Sequence, residues 1–290
     1  MNSEVLNTQF GIENSISFQP FEHTVIAELK TDCSTAKVSL YGAHVLSFIP
    51  DGQEDILFVS PHAVFQDGKA IRGGVPVCWP WFNAHPVDKS LPSHGFARTS
   101  SWQVVHTSAN DQETCIELAL YSNEQTLKLW PYEFEARLMI KLDHQLKIEL
   151  TTFNKDIKAF DVSGALHSYF NVSDILNVQL QGLHGADYFD SVINASAVEN
   201  NELLSFEQYT NRMYSSTQKC VIHDKNRTIE VDKSGSGMTV VWNPGEELAN
   251  KMPDLLEGYK NMLCVEAANC LEDTITIQAG QKHTLSTTFG

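Results

Sequence analysis

The chain has 290 residues, 42% of them hydrophobic and 19% charged, which is enough apolar sequence to bury a sizeable core and excludes a disordered polypeptide. Thirty-six acidic against 20 basic residues leave a net charge of −16, which opposes the phosphate neutralisation an extended nucleic-acid face requires, so nucleic acid is not an expected partner. A small anionic ligand stays open, because charges beyond a Debye length of about 8 Å are largely screened and a few local arginines can govern a pocket.

The N-terminal stretch "MNSEVLNTQFGIENSISF" has neither the basic start nor the apolar run of a signal peptide, and no window approaches the length of a membrane span. A soluble cytoplasmic protein without a membrane partner is expected. The next distinctive stretch, residues 61 to 92, holds five of the ten prolines, and within it "IRGGVPVCWPWFNAHP" adds two adjacent glycines and three large rings. Proline fixes φ and removes a donor while glycine opens backbone geometries closed to other residues, so this is read as an ordered, preshaped loop. Trp79, Trp81 and Phe82 are candidate pocket walls, and the competing reading is that they cap an open end of the fold.

Period-2 alternation then dominates. It appears in "CIELALYS" (115–122) and most regularly in "FEARLMIKLDHQLKIELTTF" (134–153), which reads as a β-hairpin with one buried face about "DHQ". Further short runs follow at 177–183, 228–233, 238–244, 274–280 and 283–289. The only long helical candidate, "GEELANKMPDLLEGYK" (245–260), is interrupted by Pro253. Strands recurring between polar turns, with no Gly/Ser linker or charge run, predict an all-β fold: one large antiparallel β-sandwich domain over residues 1–290.

Four ionisable residues sit in unusual surroundings. Arg72 ("AIRGG") and Arg98 ("GFART") lie among apolar or small residues with no carboxylate adjacent in sequence, and guanidinium suits bidentate recognition of phosphate or carboxylate. Either one alone is as readily a salt-bridged surface residue. His167 stands in "SGALHSYFNV", and Glu266 ends the apolar run of "NMLCVEAANC", where partial desolvation should raise its pKa and make it a more useful base. A satisfied structural histidine and a salt-bridged glutamate are the alternatives. The six cysteines lack C-x-x-C spacing and read as free thiols, and no phosphate loop, dinucleotide fingerprint or zinc helix occurs.

With these residues in place, the chain resembles the hexose-6-phosphate mutarotases (glucose-6-phosphate 1-epimerases) of the galactose-mutarotase-like superfamily. The motifs "IRGGVP", "HGFAR", "ALHSYF", "VVWNP" and "CVEAAN" carry the resemblance in the expected order along nearly the whole chain. It implies a β-supersandwich with the sugar on a concave face. It also implies that His167 and Glu266 catalyse anomer exchange, that Arg72 and Arg98 bind the phosphate of a hexose 6-phosphate, and that His94 lines the pocket. Two positions depart from the family pattern: Ser93 stands where glutamine is common, and Asn211, in "NRMY", where aspartate is expected. Both are read as substrate-binding, the shorter Ser93 through a bridging water in place of a direct contact and Asn211 through its amide oxygen without a negative charge.

The implied chemistry takes the proton from the anomeric hydroxyl with Glu266 and gives one to the ring oxygen from His167, with no metal or organic cofactor. Unperturbed pKa values near 4.3 and 6.5 would suit these roles without extreme shifts. The rival readings are an epimerase of unphosphorylated aldoses on the same fold, and a sugar-phosphate-binding protein that has lost the chemistry. Oligomeric state is not legible in the sequence, and a monomer is the working expectation.

Overall fold

The structure is a computed structural model that describes residues 2–290. Its strand ladders are all antiparallel. An N-terminal four-stranded meander (Ile16–Phe21, Thr24–Lys30, Ser34–Ser39, His44–Pro50) adjoins two large sheets. One has nine strands with Lys282–Phe289 in the middle, beside the hairpin Phe134–Leu142 and Leu146–Asn154, which pair in register from Phe134 with Asn154 to Leu142 with Leu146. The second has eight strands and centres on Met262–Asn269, flanked by Met238–Asn243 on one side and by Gly164–Leu166 and Tyr169–Asn171 on the other.

The hairpin shows why the alternation was readable. Leu138, Ile140, Leu142, Leu146 and Ile148 are fully buried while their neighbours stay partly exposed, the period-2 signature of a sheet with one face in a core. That core runs from Leu6 to Phe289 and draws on all three main sheets. The strand Met262–Asn269, by contrast, is buried at every position. Leu263, Val265 and Ala267 face the main core, while Cys264 and Ala268 pack into two smaller clusters on the other face. Glu266 projects on that second face.

The expected helix divides as Pro253 requires, into a short helix Gly245–Ala249 and a 3-10 turn Leu256–Asn261. Two further helices were not expected. Ser3–Phe10 is capped by Asn2, and Glu124–Leu129 by a reciprocal box in which the Asn123 side chain accepts from Thr126 N–H and the Thr126 hydroxyl accepts from Asn123 N–H. No helix among the described residues is long and apolar enough to cross a membrane.

Candidate active site

The proline-rich loop is pinned from beneath by its own rings. Trp79 packs against Phe96, Trp130 and Phe134 with ring centroids 4.8–5.8 Å apart, contacts worth about 0.5–1.5 kcal/mol each beyond simple burial. Trp81 is also in the core, its indole N–H donating to Pro92 O at 2.9 Å. Neither tryptophan is in the lining of the cavity that holds His167 and Glu266, so for these two rings packing into the fold is favoured over a pocket wall; Phe82 alone of the three reaches that cavity. The main chain of Trp79 also makes a parallel bridge to Gly95, which draws the "HGFAR" segment alongside. Gly95 has φ +70°, and a Cβ there would lie 2.0 Å from Trp79 O, so only glycine permits this approach. In "RGG", Gly74 has φ +61° with Val45 O and the His44 ring closing on it, and buried His44 bonds Gly73 O through Nε2 at 2.7 Å. These contacts fix where Arg72 and Arg98 begin.

The central sheet supplies the other wall. Leu166 pairs with Ala267 and Tyr169 with Cys264, so the same register sets His167 opposite Glu266. Strand structure breaks at His167 and Ser168: His167 N–H turns away to Pro76 O, and Ser168 N–H bonds back to Leu166 O. A break of this kind re-aims a side chain as a bulge does. His167 Nε2 lies 3.3 Å from Glu266 Oε1, with both side chains buried. On the far side of Glu266, Val240 is its ladder partner, and Trp242 pairs with Asn211 one strand further out, placing Val240, Trp242 and Asn211 along the same face.

Together these residues enclose a cavity of about 270 Å³ lined by Arg72, Arg98, His94, His167, Glu266 and Asn211, with walls from Phe82, Asn83, Tyr169, Val240, Trp242 and Met252. A larger hollow of about 830 Å³ lies elsewhere, between Asp190 and Glu247, but the Arg212 that lines it is already paired with Asp190 and Glu199, and no histidine lines it. The smaller cavity, which holds the His167–Glu266 pair, is therefore the candidate site.

Of the residues expected from sequence, six of the seven line this cavity. Ser93 does not: it is exposed, and only its carbonyl takes part, accepting from Arg98 Nη2 at 2.9 Å. Its side chain is thus expected to leave substrate untouched, contrary to the sequence reading. The two arginines also differ. Arg72 is gripped by Asp254, 182 residues away, through Nε and Nη2 at 3.0–3.1 Å, and its Nη1 donates to the Tyr169 hydroxyl at 3.1 Å. Burial works against its charge, but Tyr169 and Asp254 outweigh that and raise its pKa. Arg98 has no carboxylate within ion-pair distance among the described residues. Asp254, Tyr169 and Trp242 escaped the sequence reading. Tyr169 and Trp242 stand inside quoted motifs, and only Asp254 carries no local signal.

The proton chemistry of the pair differs from the mild picture expected. Burial pushes Glu266 well above its ordinary 4.5, and it pushes His167 well below 6.5, which His94, Arg98 and Arg72 lower further. Both shifts favour neutral groups, a carboxylic acid beside a neutral imidazole. The pair still holds one proton, the number that one acid and one base require. Glu266 Oε2 and His167 Nδ1 are buried without a hydrogen-bond partner, an arrangement costly enough to ask what fills it. His94 is lowered to about 3 by burial, then by Arg98 and Arg72, so it stays neutral. Its Nδ1 accepts from Asn83 N–H at 3.3 Å, which leaves Nε2 to carry the proton as a neutral donor at the cavity.

The Aldose 1-epimerase family profile matches residues 26–290. A Salmonella typhimurium protein assigned as a glucose-6-phosphate 1-epimerase is 40% identical over 236 residues, covering 80% of this chain and 78% of that one. A Cenchrus ciliaris protein with the same assignment is 36% identical over 298 residues, covering 97% and 85%. The crystal structure of a Salmonella typhimurium protein assigned as a mutarotase superposes with a TM-score of 0.89 at 34% identity, covering 97% of this chain and 94% of the other. The mutarotase-type β-sandwich expected from the motifs is the fold observed.

Proposed function

The chain belongs to the aldose 1-epimerase family, and we propose that it interconverts the α and β anomers of a hexose 6-phosphate, glucose 6-phosphate foremost. The observation that carries this reading is the buried Glu266–His167 pair in the lining of a sugar-sized cavity that Arg98 and Arg72 also line. About 270 Å³ is at the small end of ligand sites, suited to one hexose.

Anomer exchange needs the anomeric O1–H proton removed as the ring oxygen O5 receives one. The O1–H electron pair becomes the C1=O1 π bond, the C1–O5 pair stays on O5, and the proton count is unchanged. Glu266 Oε2, buried and without a partner, is the acceptor for the O1 proton, and His167 Nε2–H is the donor to O5. After rotation about C1–C2 the two exchange roles and the ring closes on the other face.

The resting pair is neutral, so the working pair must be made when substrate arrives. The proton crosses the 3.3 Å from Oε1 to Nε2, stabilised on one side by the sugar hydroxyls that solvate the carboxylate and on the other by the substrate's phosphate dianion. Desolvation is thereby turned from a cost of the empty site into a reason for acid–base action only with sugar bound. Arg98 is the cation free to meet the phosphate, while Arg72 is already shared with Asp254 and so contributes less net charge. Asn211 lines the same cavity with an uncharged amide, where an aspartate would add negative charge beside a dianionic substrate.

Two-dimensional exchange NMR on hexoses with and without a 6-phosphate tests the reading. Exchange cross-peaks between the anomers of glucose 6-phosphate should grow with protein concentration and exceed those of glucose. Equal acceleration of both sugars would make the protein an epimerase of unphosphorylated aldoses. Binding without acceleration would make it a sugar-phosphate-binding protein.

A further inference from the structure

An acid–base histidine is ordinarily held by an acceptor on the ring nitrogen opposite the reacting one. His167 has no such partner: its Nδ1 is buried and makes no hydrogen bond. The imidazole lies instead flat against Tyr169, ring centroids 4.7 Å apart and planes 12° from parallel, and Trp242 packs edge-on to both rings at 6.0 Å.

Tyr169 is fixed more firmly than the ring it supports. Its N–H donates to Gly74 O and its carbonyl accepts from Phe58 N–H, both at 2.9 Å, and it pairs with Cys264 in the central sheet. Its hydroxyl accepts from Arg72 Nη1 at 3.1 Å, and Arg72 is in turn clamped by Asp254. One side chain thus touches the imidazole with its face and an anion-binding arginine with its tip.

We propose that Tyr169 is a positioning residue of this site, its ring face orienting the His167 imidazole and its hydroxyl tying that orientation to Arg72. The inference rests on the acid–base role of His167 proposed above. An aromatic face within about 6 Å of a cation also favours the cation, here by a factor of about two to five in the population of imidazolium. That opposes the other groups facing His167. His94 at 6.0 Å, Arg98 and Arg72 disfavour its protonation, Glu266 receives or supplies its proton, and the Cys264 thiol, raised by burial, stays neutral.

Three variants separate the two parts. Tyr169→Leu removes face and hydroxyl, Tyr169→Met does the same with a more adaptable side chain should the leucine variant not fold, and Tyr169→Phe removes the hydroxyl alone. In isotope-labelled protein, the His167 ring signals should titrate about half a pH unit lower in the leucine or methionine variant than in wild type. Phenylalanine should restore that titration. In exchange NMR the alkaline limb of the rate profile should move to lower pH by the same amount, with kcat reduced at least tenfold for leucine or methionine and largely rescued by phenylalanine. With phenylalanine, the KM for glucose 6-phosphate should rise several-fold. A folded leucine or methionine variant whose His167 titration and rate profile match wild type overturns the proposal, as does a phenylalanine variant no better than leucine. The ring titration is read without turnover. If the wild-type protein accelerated no hexose at all, the epimerase reading would fall while the orienting role of Tyr169 would still be decided.

Discussion

Replacing Glu266 by glutamine perturbs catalysis and stability through one property, the cost of ionising a carboxyl that is 1% exposed and has an oxygen without a partner. Loss of a positioned base costs about 10²–10⁴-fold in rate, or roughly 3–5 kcal/mol of transition-state stabilisation. The stability effect has a definite sign. The folded pKa lies well above 4.5, so from pH 4.5 upward the unfolded chain releases a proton that the folded chain keeps. Wild-type stability is therefore fully present below 4.5 and declines through that window, with a slope of up to about 1.4 kcal/mol per pH unit, until the folded pKa is passed. Glutamine has no such titration. The opposite effect of His167, whose folded pKa lies below 6.5, removes stability as pH falls and is shared by both proteins. Urea unfolding of both proteins at intervals from pH 4 to 8, with anomer exchange measured on the same samples, should show Glu266→Gln gaining on wild type as pH rises while losing its activity. A stability difference that stays flat above pH 4.5 would mean that Glu266 is ionised in the fold, and the account of the resting pair would be wrong.

Arg98→Ala should weaken glucose 6-phosphate about 10–100-fold in KM, the loss of a charge-assisted contact, and affect glucose far less; equal losses on both sugars would contradict phosphate recognition. Arg72→Ala should show a mixed result, a smaller phosphate-specific loss with a drop of about 1–3 kcal/mol in stability, because Asp254 is left without its partner; chemical denaturation separates the two. His94 stays neutral down to about pH 3, so it should contribute no limb of its own to the rate profile between pH 5 and 8, and His94→Gln should keep the same number of limbs whatever it does to KM; disappearance of a limb in the variant would show that His94 titrates there. Gly95→Ala combines a left-handed backbone with a Cβ 2.0 Å from Trp79 O and should cost roughly 2–4 kcal/mol, lowering Tm by several degrees; an unshifted Tm would refute the close-approach argument.

Much of this molecule is written in local pattern. Alternation in residues 134–153 specifies a hairpin of the nine-stranded sheet because one face meets a core and the other does not. Glu266 and His167 drew notice because an ionisable group among apolar neighbours is unusual, and Gly73 and Gly74 because so few residues tolerate the backbone geometry open to glycine. The capped helices at Ser3–Phe10 and Glu124–Leu129 were legible in principle through Asn2 and through Asn123 with Thr126, but each is too short for periodicity to stand out.

The amino-acid order by itself determined the fold class, the preshaped loop and the types of residue available for proton transfer, since each depends on spacing or on a residue's own conformational freedom. Only the tertiary structure decided that His167 meets Glu266, because that meeting depends on two separate strands pairing in one register with Met262–Asn269 and breaking where the histidine stands. It also decided that Asp254 claims Arg72 and leaves Arg98 free, that Trp79 and Trp81 go to the core while Trp242 goes to the cavity, and that the Ser93 side chain stays outside. Those outcomes turn on partners distant in the chain and on desolvation by the whole fold, and neither leaves a mark in the neighbouring residues.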